Sequence, residues 1–340
     1  MNSPIWKLIE DLSKKSGITE VMINSAKSIF VEKLGQTYNL NANFQDQDLF
    51  DFVEEFKIYN KISTSDLSTL IDGRLNDGSR VNIVMPPFSG KTPVVTIRKH
   101  QAQSLLLSSH LDFFHLNISD YEFLLALIKA RTNVIISGGT GTGKTTFLNS
   151  LLNEISPKER LITIEDTCEL KLQQHNLVSL EAANHFKDKI SIRDLVKNSL
   201  RMRPDRIIVG EARGAEMFDL LMAMNTGHSG SMTTLHANSA LESLSRIETL
   251  LLLSGYDYPI FALRKIISES IDFIIHLHRN ENGEKRISEI IEVCGMEGQV
   301  ILTSTIYTTD ESGHFIKTGQ VPHKIKKLNE IGQLDRAFFK

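Results

Sequence analysis

Thr132-Asn-Val-Ile-Ile-Ser-Gly-Gly-Thr-Gly-Thr-Gly-Lys-Thr-Thr146 is the stretch whose reading decides the fold. Its β-branched run Val134-Ile135-Ile136 stops at Ser137. A glycine loop follows, and Lys144, Thr145 and Thr146 open a helical run from Phe147 to Ile155. Strand, G-x-x-x-x-G-K-T loop, helix is the context that a phosphate-binding P-loop requires. Glycines let backbone N–H groups curl around a β-phosphate with no Cβ in the way. The helix N-terminus adds its positive end. The nucleotide-binding set is therefore Gly138, Gly139, Thr140, Gly141, Thr142, Gly143, Lys144, Thr145 and Thr146. Lys144 reaches for the β- and γ-phosphates of ATP, and the Thr145 hydroxyl is a ligand for Mg²⁺.

The chain has 340 residues, 41% apolar and 23% charged, the balance of a soluble globular protein of about two domains. A formal charge of −3 gives no global pull towards nucleic acid or anionic lipid. Two cysteines, Cys168 and Cys294, exclude a disulfide framework and a four-cysteine zinc site within one chain, and suit a reducing cytosol. The segment Met1-Asn-Ser-Pro-Ile-Trp-Lys7 has no apolar signal-peptide core, and no run approaches the roughly 20 apolar residues of a membrane span.

Ahead of the P-loop, the pattern predicts a helix over 4–16, short strands at Val21–Ile23 and Ser28–Glu32, and a turn at Lys33–Gln36. An amphipathic helix over Gln47–Tyr59 follows, then strands at Ile71–Arg74, Ser79–Met85 and Val94–Arg98. Residues 1–99 thus read as a small α+β domain. Residues 100–118, mixed and without period, read as a linker. Residues 119–340 read as an α/β domain: helix Asp120–Ala130, the P-loop unit, strand Leu161–Ile164, a short strand near Leu177–Leu180, helix 192–202 with a capping-box start at Ser191, strand Arg206–Val209, helix 214–225, strand 231–235 and helix 240–253. Strands alternating with helices predict a mostly parallel sheet covered on both faces. Strands 272–278 and 287–293, a hairpin about Asp310–Gly313 and a basic segment, Lys324–Lys327, complete the chain.

Ligands of open α/β sheets sit beyond the carboxyl ends of the strands. Three strands after the P-loop end there in polar residues: Glu165 and Asp166, then Glu211 and Arg213, then His236 with His228 on the preceding loop. NTP hydrolysis needs a metal partner, a carboxylate for the attacking water, and cations for the transferring phosphoryl group. The strand Ile207-Ile208-Val209 ends in Gly210 where an Asp is usual, so Glu211 is the leading candidate for the base. Glu165 and Asp166 then take part of the metal role. His236 and His228 are placed to sense a γ-phosphate or a neighbouring subunit. His110, His115 and His276 read as ordinary surface or core residues. Arg74, Arg80 and Arg98 in the first domain, and Arg193, Arg201, Arg203 and Arg213 in the second, are the arginines available for phosphate.

Together these motifs narrow the choice. Gly138-Gly-Thr-Gly-Thr-Gly-Lys-Thr-Thr146, Ile162-Thr-Ile-Glu-Asp166, Arg203-Pro-Asp-Arg-Ile-Ile-Val-Gly-Glu-Ala-Arg213 and Thr226-Gly-His-Ser-Gly-Ser-Met-Thr-Thr-Leu-His-Ala-Asn238 resemble, in order, the Walker A, Asp box, Walker B and His box of the secretion-ATPase superfamily. Those are the traffic motors of type II and type IV secretion and of type IV pili. Gly17–Asn24, Arg74–Asn82, Pro86-Pro87 and Thr96–Lys99 resemble its CpaF-type and VirB-type branch. The resemblance covers roughly residues 5–300. It implies a RecA-like P-loop NTPase domain behind a smaller α+β domain, and a cytoplasmic homo-hexamer at the inner membrane that works with platform proteins of a pilus or secretion machine. It also implies phosphate-contacting arginines from the first domain, matched here by Arg80 and Arg98, with Arg74 less securely matched. The chain departs from the general-secretion branch in lacking cysteines for its zinc insertion. It departs from CpaF-type chains in starting almost directly at the shared domain. The leading expectation is a motor for Tad/Flp-type pilus assembly or secretion. Its alternatives are a type IV secretion or conjugation ATPase and a RecA-like nucleic-acid translocase. The last is disfavoured by the charge and the absence of an aromatic–basic tract.

Overall fold

The computed structural model describes residues 3–33, 36–63, 68–99, 106–182, 190–280, 283–310 and 313–340. The chain divides into two compact units, Met1–Ala102 and Gln103–Lys340.

In the first unit, α1 (Pro4–Ser13) precedes a meander of β1 (Ile18–Ser25), β2 (Ser28–Lys33) and β3 (Gln36–Leu40). Helix α2 (Asp46–Tyr59) leads to β4 (Leu70–Arg74), β5 (Arg80–Val84) and β6 (Val94–Arg98). The strands form one sheet in the order β3-β2-β1-β6-β5-β4, with neighbours antiparallel. Alternate residues of the central strands (Val21, Ile23, Val81, Ile83, Val95, Ile97) are buried against α1 and α2, where Trp6 and Phe52 lie 5.6 Å apart. The period-2 alternation therefore leaves the other face of these strands more exposed. Strand β3, absent from the sequence reading, is an edge strand of mostly exposed residues with no apolar alternation to announce it.

The second unit is built on a nine-stranded sheet ordered β15-β14-β13-β12-β7-β11-β10-β8-β9. Here β7 is Val134–Gly138, β8 Leu161–Glu165, β9 Leu177–Glu181, β10 Arg206–Val209, β11 Met232–Leu235 and β12 Phe273–Arg279. From β12 to β9 each neighbour runs parallel. Strands β13 (Lys285–Glu297), β14 (Val300–Thr309) and β15 (Phe315–Lys317) extend the sheet antiparallel. Val134 and Ile136 face one core with α3 (Ile118–Lys129) and α4 (Lys144–Leu152). Ile135 faces another, built with α5 (Ile192–Ser199), α6 (Glu216–Asn225), α7 (Ala240–Leu252) and α8 (Ile260–Ser270). Burial on both faces is why these strands read as unbroken apolar runs. Helix α8 was not anticipated. The hairpin joining β14 to β15 closes through Asp310 and His314; its residues 311 and 312 lie outside the described ones. The basic segment carries the start of α9 (Ile325–Glu330), where Lys324 pairs with Asp272 and Lys327 donates to the Arg131 carbonyl.

One boundary differs from the sequence expectation. Residues 107–116, expected to be linker, belong to the second unit's core, and residues 100–105 are outside the described ones. Leu107, Phe114 and Leu116 are buried, and the Phe114 ring meets Phe147 of α4 at 5.0 Å. Two short 3₁₀ turns, Leu107–Ser109 and Asp112–Phe114, carry these anchors, and such turns have no 3.6-residue period to detect. Replacing Phe114 with Ala should cost about 3–5 kcal/mol in denaturant unfolding of the second unit, as expected for a core aromatic. A cost of about 0.5 kcal/mol or less, typical of an uninvolved surface position, would return the segment to linker status.

Candidate functional site

Because β7, β8, β10 and β11 are parallel, their carboxyl ends share one edge of the sheet. The P-loop leaves β7 there, and α4 starts at Lys144 with Gly143 as its N-cap and no side-chain cap. The first N–H groups of α4 are thus left available to an anion. Gly138 is required by close approach: a Cβ there would stand 2.5 Å from the Leu277 carbonyl oxygen of β12.

Lys144 is almost fully buried. Its ammonium donates to the carbonyls of Gly138 at 2.9 Å and Gly139 at 2.7 Å, and lies 3.5 Å from His236 Nδ1. Burial lowers its pKa, opposed by the Glu211 charge and assisted by Arg213. His236, at the end of β11, places Nε2 3.1 Å from Glu211 Oε1. Lys144 can only donate and the Glu211 carboxylate only accept, so the bridging imidazole is neutral with its hydrogen on Nε2. Burial first, then Lys144, holds the His236 pKa below its ordinary value.

Glu211 is fixed from both sides. Arg213 grips its carboxylate through two bonds, Nε–Oε1 2.6 Å and Nη2–Oε2 2.7 Å. The turn itself is held by Glu216, which accepts from the backbone N–H groups of Arg213 and Gly214. Thr234 of β11 donates to the Gly210 carbonyl at 2.7 Å. Burial alone would raise the Glu211 pKa, but Arg213, His236 and Lys144 together hold it below the usual carboxylate value.

Glu165 ends β8 and is buried. Its carboxyl accepts from the backbone N–H groups of Glu169 at 2.9 Å and Leu170 at 3.1 Å. Burial outweighs those bonds and pushes its pKa up to about 7. The same side chain accounts for the glycine after Val209: a Cβ on residue 210 would stand 2.8 Å from Glu165 Cγ. Asp166 is exposed and is a charge neighbour of Arg213. No group of three or more His, Cys, Asp or Glu able to hold a metal occurs among the described residues. A P-loop Mg²⁺ asks for less, since it keeps several waters and takes one or two protein oxygens beside the phosphates. Thr145, in the first turn of α4, fits that oxygen-only requirement.

His228 is displaced from the expected position. It lies before β11, at the amino end of a strand parallel to β7, and its Nδ1 sits 3.3 Å from the Ala223 carbonyl oxygen. A four-residue strand separates that edge from His236, about 13 Å at the usual rise. Sequence order alone does not separate the two ends of a strand, so both histidines read as lying at the nucleotide edge.

Three further residues stand at the P-loop without having been anticipated. His276 of β12, read as an ordinary residue, is buried with Nδ1 2.9 Å from the Ser137 hydroxyl. Arg279 and Lys285, cross-strand partners in the β12–β13 hairpin, close on Gly141 and Gly143 respectively. The signal for all three is that β12 neighbours β7, a crossover pairing that no local pattern announces.

In the first unit, the register aligns Arg74 with Arg80, Arg80 with Arg98, and Arg98 with Glu20. Three arginines therefore form one row on one face of the sheet. Asp72 accepts from Asn82 and Asp77 from the Ser79 backbone.

The model of the type II/IV secretion system protein family matches residues 4–329. The conjugal transfer protein TrbB of Rhizobium radiobacter is 32% identical, over 87% of this chain and 90% of the relative. The type IV secretion system protein VirB11 of Bartonella quintana is 30% identical, over 84% and 90%. The X-ray structure of the Legionella pneumophila ATPase DotB has the same fold, with a TM-score of 0.63 at 23% identity over 86% of this chain and 81% of that one. With a family model spanning nearly the whole sequence and relatives matched along most of their length, the chain belongs to the type II/IV secretion system protein family.

Proposed function

We propose that the chain is a Mg²⁺-dependent ATPase, with a RecA-like catalytic domain, that drives a type IV secretion or conjugal-transfer machine. The observation that carries the reading is the Lys144–His236–Glu211 contact, which joins P-loop ammonium, imidazole and carboxylate at one sheet edge. The relatives described above are named for conjugal transfer and type IV secretion, so they favour that reading over the expected Tad/Flp-type pilus motor. The family resemblance supports a homo-hexameric ring in the cytoplasm, bound through partners at the inner membrane. No helix among the described residues is long and apolar enough to cross a membrane.

In this reading the P-loop amides and Lys144 bind the ATP phosphates. Thr145 would supply a protein oxygen to Mg²⁺, with Asp166 at the same edge, and the bound metal would neutralise phosphate charge. Glu211, ionised and aimed by Arg213 and His236, orients the attacking water and accepts its proton. Glu165 supports the backbone beneath Glu211. Arg80 and Arg98 stand opposite each other on β5 and β6, with Glu20 of β1 next in the row. The family resemblance supports charge-assisted bonds from these guanidinium groups to a γ-phosphate.

Glu211→Gln should bind ATP and lose about 10²-fold or more of turnover. Turnover near wild type would transfer the base role to Glu165. Lys144→Ala should weaken nucleotide binding in the same assay, and unchanged affinity would contradict the P-loop assignment. Arg80→Ala and Arg98→Ala should melt at the wild-type temperature with a collapsed rate. Lower melting with an unchanged rate per folded molecule would make them structural.

The Glu165 shift gives a pH test. Its folded-state pKa is raised to about 7, so the folded protein binds the extra proton between the ordinary carboxylate value and about 7. Its contribution is fully present below pH 4.5 and is lost as pH rises through about 7. Glu165→Gln, which mimics the protonated acid, should remove about 3 kcal/mol of the fall in stability across that window. Parallel curves for variant and wild type would show that Glu165 ionises normally.

A further inference from the structure

His276 lies on β12, outside the stretches singled out as nucleotide motifs, yet it joins two of them. Its strand β12 lies beside β7 with His276 opposite Ser137, the residue before the P-loop glycines. The Ser137 hydroxyl meets its Nδ1 at 2.9 Å, in a buried contact. The ring's other contact is the backbone of Asn238, two residues beyond His236. Asn238 is itself held by its amide on Glu242, 3.0 Å away, just ahead of α7, whose N-cap is Ser239. The His276 carbonyl accepts from Ser288 of β13, so the ring is anchored on a strand tied from its other side.

The contacts close into a circuit. From Lys144 it passes to the Gly138 carbonyl, along the chain to Ser137, across to His276, on to Asn238, and through Ala237 to His236, which returns to Lys144. The His276–Ser137 link lies in a buried interior, where an unmade hydrogen bond is costly. We propose that His276 is a positioning residue for ATP hydrolysis, holding Ser137 and the 236–238 loop in one registry so that His236 stays between Lys144 and Glu211. It touches no substrate; it acts through the two segments that do. The inference rests on the ATPase reading given above.

Its protonation state suits that task. Burial, with His278 and Lys144 adding to it and Glu242 and the Asn238 backbone opposing, lowers the ring pKa to about 4. The ring is neutral near pH 7, with one nitrogen accepting from the Ser137 hydroxyl and the other left to donate. A glutamine offers the same pair of roles through its amide; a leucine of similar bulk offers neither.

The test uses the full chain with His276→Leu, His276→Gln and Ser137→Ala, and reads two quantities. The first is the split between kcat and KM for ATP. Displacing catalytic groups by about 1 Å can cost as much as 10²-fold, so His276→Leu and Ser137→Ala should lose about tenfold or more in kcat. KM should stay within about threefold, and His276→Gln should recover most of the rate. The second is the titration of the His236 ring by NMR, which requires no turnover. The lowered His236 pKa should move up towards about 6.5 in His276→Leu and Ser137→Ala, and stay down in His276→Gln. If His276→Leu does not fold, Ser137→Ala and His276→Gln decide the matter. An unmoved His236 titration in Ser137→Ala, or a kcat within twofold of wild type, would overturn the proposal. So would a loss that glutamine does not relieve. A wild-type chain that hydrolyses no ATP would sink the ATPase reading by itself, while the His236 titration would still report on the positioning contact.

Discussion

A buried ammonium needs partners, and the way Lys144 finds them organises this site. It is among the most buried charged groups of the second unit, and taking a charge out of water is costly unless other polar atoms replace the solvent. The replacements are two carbonyls of its own loop and the imidazole of His236. That demand brings the loop's glycines, the end of β11 and the end of β10 into one place. Phosphate oxygens are a better partner for an ammonium than carbonyls are, so the same geometry that satisfies Lys144 also readies it for exchange.

The carboxylates beside it are differentiated by environment. Glu211 has Arg213, His236 and Lys144 around it and stays ionised. Glu165, one strand over, faces backbone amides and other acids in a buried setting, and holds a proton up to about pH 7. Two neighbouring carboxyl groups pushed apart in this way can take different roles. The separation follows from the sheet. Strand β8 lies beside β10 and Glu165 fills the space over residue 210, so the carboxylate beyond β10 stands at 211.

Much of this is legible in the sequence because it is local. The P-loop, the strand ends at Glu165, Glu211 and His236, and the capping box at Ser191 each declare themselves within a few residues. What stayed hidden is either aperiodic or non-local. The 3₁₀ turns anchored by Leu107 and Phe114 have no helical period, so they looked like linker. The edge strand β3 has no buried face. His228 was assigned to the wrong edge because strand direction relative to β7 is a property of the sheet. His276, Arg279 and Lys285 reach the P-loop only because β12 crosses over to pair with β7. Arg74, Arg80 and Arg98 were picked out singly, and only the register of β4, β5 and β6 shows that they share a row.

The central claim is that one edge of the second unit's sheet, from the P-loop through Glu211 to His236, is a single nucleotide site. Hydrogen exchange of the full chain with and without Mg·ATP measures it directly. The account predicts added protection at residues 138–146, 210–213 and 235–238 together. Protection limited to the P-loop, with the other two stretches unchanged, would contradict it.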